Sequence, residues 1–167
     1  MKACIKEYSK PVVRKNPLSL NQIELVKSNS GNSHNDKLFL ALLGIGFGGL
    51  HQLGELTVPD SEFLLDAKKI ILRSSLQFSS CKKFIQYHLP YSKCDSTFIG
   101  APIIIQSFEN TSACPVLLLK SYLCSRDTLF MAASELFITS SGCSPSRKWF
   151  LSRFHQHFNK SFLGHSL

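Results

Sequence analysis

No two of the six cysteines form a C-x-x-C pair, and no histidine stands at metal-ligand spacing from any of them. Cys4, Cys81, Cys94, Cys114, Cys124 and Cys143 therefore describe neither a zinc site nor a disulfide scaffold, and they read as scattered reduced thiols. The opening MKACIKEYSKPVVRK holds no apolar stretch of the kind a secretory signal needs. The longest uncharged run, LFLALLGIGFGGLHQLG from Leu38, contains five glycines and falls short of the ~20 apolar residues that cross a bilayer. A nuclear or cytoplasmic protein is expected, not a secreted one and not one that engages a membrane. Also missing are G-x-G-x-x-G after a strand, G-x-x-x-x-G-K-[ST], H-E-x-x-H and G-x-S-x-G, which removes the commonest dinucleotide, P-loop, metalloprotease and hydrolase chemistries. No internal repeat or low-complexity block is present. Carboxylates are scarce as well: 11 Asp and Glu face 19 Lys and Arg, a net charge of +8 that favours polyanionic partners, nucleic acid first.

What is present reads as a basic arm over residues 1–17, punctuated by Pro11 and Pro17, followed by one folded domain over 18–167. Ser19 with Gln22 makes a capping box for a helix over 19–28. After the polar SNSGNSHN loop, Asn35 or Asp36 is expected to cap an apolar helix over 36–54, in which Gly44, Gly46, Gly48 and Gly49 signal close helix packing and not a phosphate loop. Three β-rich segments come next, at 68–73, 84–90 and 102–108, and point to a small antiparallel sheet. Alternation in the second puts Phe84, Gln86 and His88 on one face, with Ile85, Tyr87 and Leu89 on the other. Pro115 opens a helix over 115–126 with Val116, Leu119, Tyr122 and Leu123 on its core stripe. Ser144-Pro145 leads into a last helix over 145–158, basic on one side and aromatic on the other. The fold class is thus α+β, rich in helix, with a three-stranded antiparallel sheet at one edge. A basic helix with interleaved rings can set its cations on phosphates, so Arg147, Lys148 and Arg153, with Lys93 in the YSKCDSTFIG connection and Arg73 in LRSS, are the DNA-binding candidates.

The order of LFLALLGIGFGGLHQLGELTVPD, the strands around HLPYSKCD, CPVLLLKSYL, RKWFLSRF and the final GHSL resembles the catalytic domain of tyrosine recombinases. The likeness is to the integrase-like proteins of eukaryotic mobile elements, including the Crypton-like kind of fungi, and it covers about residues 11–167. It implies the helix-rich catalytic-domain fold of DNA breaking-rejoining enzymes, without that fold's last helices. The implied chemistry is attack of a tyrosine on a DNA phosphodiester, with two arginines, a hairpin lysine and a histidine around the phosphorane and no metal or other cofactor.

Position by position, the resemblance puts Gln52 where the first arginine stands, Glu55 at the acidic residue just beyond, Lys93 at the hairpin lysine and His165 at the opening of the His-x-x-Arg motif. The second arginine and the nucleophile have no counterpart here, because Tyr8, Tyr87, Tyr91 and Tyr122 all precede that motif. The expectation is a truncated, degenerate relative that binds DNA through its basic surface and does not cleave it. Its uncovered apolar face at Phe150, Phe154, Phe158 and Phe162 would be open to self-association. Two other readings stay open: a fragment of a larger active recombinase, or a protein-interaction module or unrelated basic α+β domain.

Overall fold

The computed structural model describes residues 17–81, 83–91 and 99–158, so the arm at 1–16, Lys93, Phe162 and His165 lie outside the described residues. The chain is a mixture of helix and sheet. It runs α1 (Leu20–Asn29), α2 (His34–Gly48) and a one-turn α3 (Leu53–Leu56), then strands β1 (Gln77–Phe78), β2 (Phe84–Leu89) and β3 (Ala101–Gln106), then α4 (Pro115–Leu129) and α5 (Arg147–His157).

Helix α1 starts as its sequence predicts, with the Ser19 N–H donating to Gln22 Oε1 at 2.8 Å. Helix α2 starts earlier than expected. Ser33 is its cap: Ser33 Oγ accepts from the Asp36 N–H at 3.2 Å and Asp36 Oδ2 accepts from the Ser33 N–H at 3.1 Å, so Asp36 is the reciprocal partner and not the cap. The same helix stops at Gly48 and does not run through to 54. Leu50 adopts φ 52°, and the His51 N–H returns to the Gly46 carbonyl at 3.0 Å, the closing bond of a Schellman turn. A leucine at the left-handed position, where glycine is usual, hides this stop from a pattern reading.

The first expected strand, 68–73, is instead a pair of 3-10 turns, Ala67–Lys69 and Arg73–Ser75. Only Ile71 of this run enters the core. Its carbonyl accepts from Leu136 N–H at 2.8 Å, and Arg73 N–H donates to the Ser134 carbonyl at 2.8 Å, so these backbone groups pair with the 134–136 segment and not with the sheet. The sheet itself is antiparallel in the order β1-β2-β3, with Gln77 opposite Gln86 and Ile85 opposite Ile105. Ile85, Tyr87 and Leu89 are buried while Phe84 and His88 are exposed, the alternation expected for β2.

The core lies between α2 and α4. A Cβ on Gly44 would stand 2.9 Å from Leu118 Cδ1 and 3.3 Å from Pro115 Cα, and one on Gly48 would stand 3.1 Å from both Ile105 Cγ2 and Pro115 Cγ. These glycines let the first turn of α4 and strand β3 approach α2 directly, as their density in the apolar run predicts. Beyond α4 the chain returns irregularly and is held by side chains. Tyr122 Oη accepts from the Ile138 N–H at 2.8 Å. Arg126, 1% exposed, donates to the carbonyls of Phe130 (3.2 Å), Ala133 (2.6 Å) and Glu135 (2.6 Å).

Phe150, Phe154 and Phe158 are buried, with the Phe150 ring 5.3 Å from that of Phe39. These three rings of the last helix are therefore covered within the chain, Phe150 by Phe39 of α2, and self-association through them loses its basis.

Arg126→Ala would remove the donor that these three carbonyls share, and should lower unfolding free energy by roughly 3 kcal/mol. Urea denaturation at neutral pH measures this as a lower midpoint at unchanged slope.

Candidate nucleic-acid interface

The turn between α2 and α3 is tied to the sheet by three polar side chains. His51 Nδ1 lies 2.9 Å from Glu55 Oε2, and its Nε2 contacts the Tyr87 hydroxyl. Glu55 Oε2 also accepts the Gln52 N–H at 3.2 Å. With Nδ1–H donating to the carboxylate, Nε2 of a neutral ring accepts from the Tyr87 O–H. Burial, reinforced by the nearby Glu55 charge, pushes the Tyr87 phenol well above its ordinary pKa, so it stays protonated and donates. Gly49 makes the arrangement sterically feasible, since a Cβ there would lie 2.6 Å from His51 Cδ2. Gln52 stands on this base, exposed at the N-terminus of α3.

Glu55 also lines a small groove of about 20 Å³, whose walls include Val58, Lys69, Ser144 and Pro145. It has room for roughly one water, far below the few hundred Å³ that small-molecule sites need. Its walls bring together parts distant in sequence. The Val58 N–H donates to the Pro145 carbonyl at 3.0 Å and the Arg147 N–H donates to the Val58 carbonyl at 3.1 Å, which fixes the start of α5 beside α3. Lys69 Nζ sits 4.1 Å above the Tyr91 ring, at the point where the β2–β3 connection begins.

Arg147 and Lys148 are exposed in the first turn of α5. The positive end of a helix dipole disfavours cations there. Asp60 offsets this: its Oδ1 accepts the Lys148 N–H at 2.8 Å, and that bond, with the Ser146 hydroxyl, holds its carboxyl below 3.8.

The other two described arginines of the candidate set are committed to ion pairs. Arg73 makes a two-pronged contact to Asp127, Nε–Oδ1 3.2 Å and Nη2–Oδ2 2.8 Å, and Arg153 Nη1 meets Asp36 Oδ1 at 2.8 Å. Lys93 and His165 lie outside the described residues, and the groove brings Lys69 together with Glu55 and the 144–145 segment, while Gln52 contacts Glu55 and does not line it. Lys69, His51 and Tyr87 are not recognisable as a group from the sequence. Their pairing is long-range, and the His-Gln dipeptide at 51–52 is the one local hint. Among the described residues no group of His, Cys, Asp and Glu could hold a metal ion, and no helix is long and apolar enough to cross a membrane.

Tyr87→Phe removes the hydroxyl that His51 Nε2 meets in a buried setting, and should cost about 1–2 kcal/mol in urea unfolding without changing the helical circular dichroism. A second expectation concerns acid. Hydrogen bonds from Arg73 lower the Asp127 carboxyl below 3.8, against an opposing effect of burial. At Asp36, burial pulls upward but the bonds from Ser33 and Arg153 outweigh it. Carboxyls depressed in the folded state stabilise it above the unfolded value and lose that contribution as pH falls below it. Unfolding free energy should therefore drop below about pH 4. The Asp36→Asn/Asp127→Asn pair should start lower at pH 7 and lose less on acidification.

No protein-family model matches this chain, and neither does any curated protein.

Proposed function

We propose that this chain binds DNA through phosphate contacts on a tyrosine-recombinase-like scaffold, and that it does not cut the strand. The observation carrying the reading is the meeting of three segments at one small groove: Glu55 to Val58, which follow Gln52 in the chain, Lys69, whose ammonium lies over the Tyr91 ring, and Ser144-Pro145, which lead into the cationic start of α5. In the family that the sequence resembles, two arginines, a hairpin lysine and a histidine surround one scissile phosphate. Gln52 donates hydrogen bonds at the first of these positions but carries no charge, and one lost donor of this sort is worth ~2.7–4 kcal/mol of transition-state stabilisation.

The tyrosines support the absence of cleavage. Tyr122 is pushed up to about 12 by burial, and Tyr87 is buried and engaged with His51. Tyr91 lies under Lys69. Burial keeps the Tyr87 and Tyr122 phenols protonated and away from solvent.

Charge supports the binding. Glu135 is the last acidic side chain in the sequence, so Arg147, Lys148, Arg153 and Lys160 occupy a stretch without Asp or Glu. The arm adds more: Lys2, Lys6, Lys10, Arg14 and Lys15 against Glu7 carry half of the net +8. Phosphate contacts of this sort release counterions, so affinity should fall steeply with salt.

Fluorescence anisotropy with a labelled duplex across a salt series tests the proposal. Arg147→Ala with Lys148→Ala should weaken binding and reduce the magnitude of the salt slope by about 2, close to one unit for each phosphate no longer neutralised. Removing two cations from the positive end of a helix does not endanger the fold. Asp60→Asn should tighten binding, and removal of residues 1–16 should flatten the slope further. A chain that ignores duplex DNA at low salt defeats the reading and favours a protein-interaction module.

A further inference from the structure

The outer face of the sheet is unlike an ordinary solvated face. Register places Gln77, Gln86 and Ile104 in one row across the three strands, Phe84 beside Gln106 in the next, and His88 beside Pro102 in another. Phe84 and Ile104 are 38% and 62% exposed, and Gln77, His88, Pro102 and Gln106 are exposed as well. Not one of these seven side chains is a Lys, Arg, Asp or Glu.

The stretch of sequence that carries β1 and β2 is basic. Between Asp66 and Asp95 the chain has no carboxylate and six cations: Lys68, Lys69, Arg73, Lys82, Lys83 and Lys93. Lys83, exposed, immediately precedes β2, and Lys69 is exposed beside Tyr91 just past its far end. A neutral face with rings and amides, set in a basic, nearly acid-free segment, is complementary to a polyanion that turns its bases inward and its phosphates to the rim.

We infer that this face is a platform for single-stranded nucleic acid, with bases stacking on Phe84 and His88 and their edges meeting Gln77, Gln86 and Gln106. The two rings are four residues apart on one strand, roughly 13 Å, with Gln86 between them. Stacking platforms of this kind bind unpaired bases because every base has a π-face, and glutamine amides pair with base edges through two bonds. A duplex keeps its bases stacked on one another and offers such a face nothing to cover the rings. The inference deepens the DNA-binding proposal by naming a second surface and the form of nucleic acid it takes.

The probes are a labelled twelve-nucleotide oligothymidine and a duplex of the same length, titrated at low salt with the full chain. Phe84→Ala/His88→Ala should weaken oligothymidine binding by about tenfold or more, with duplex affinity unchanged, while Phe84→Tyr, which keeps the ring, should bind as the parent does. Phe84→Trp should show fluorescence quenched by oligothymidine beyond any change in the parent, whose single tryptophan is Trp149. That variant decides the matter if the double alanine variant does not fold. Unaltered oligothymidine affinity in a folded double variant, equal losses on both probes, or no added quenching in Phe84→Trp overturns the inference. A parent chain that binds duplex but not oligothymidine overturns this inference alone; one that binds oligothymidine but not duplex defeats the α5 reading and leaves the platform standing.

Discussion

Helix α2 can lie against the first turn of α4 and against β3 only because Gly44 and Gly48 carry no side chain at the contact. That close approach governs the rest of the architecture. It seats Pro115 and Leu118 on α2, brings Ile105 of β3 onto the same helix, and leaves the end of α2 pointing at β2, where His51 reaches Tyr87. Larger residues would force the helices apart, and close-packed interiors do not absorb such a shift without opening gaps elsewhere. The turn that ties His51 to Tyr87 and leaves Gln52 exposed follows from this one steric permission.

A second constraint is the division of the cations. Of the arginines in folded elements, Arg126 is consumed by backbone carbonyls, while Arg73 and Arg153 are engaged by Asp127 and Asp36. Partly exposed pairs of this kind contribute little to stability in water, but they lower the charge a polyanion would meet. The start of α5 is the opposite case, where two cations sit against the helix dipole and rely on Asp60 for relief. Local rules tend to be broken at functional positions, and this is where the phosphate contacts are proposed.

Much of the architecture is legible in the chain. The capping box of α1, the glycine-marked packing of α2, the alternation of β2, the proline start of α4 and the antiparallel hairpin of β2 with β3 are short-range signals, and each appears where its pattern lies. The departures have particular causes. The run at 68–73 has strand-like composition, yet only Ile71 is buried, and its backbone partners lie at 134–136, more than sixty residues away. Leu50 closes α2 in a conformation that composition does not announce. The rings of α5 have no visible partner nearby in the sequence, yet they are buried, Phe150 against Phe39 of α2.

Net charge, the starts of α1 and α4, the β2–β3 hairpin and the residues that alternate toward the core are written in the chain, because those depend on spacing and on chemistry within a few positions. Only the tertiary structure decided which cations are neutralised, which rings are covered, and that Glu55, Lys69 and Ser144 share one groove. Those facts depend on which distant segments meet, and an ion pair or a buried ring is fixed by the neighbour across the core, not by the residue beside it in the chain.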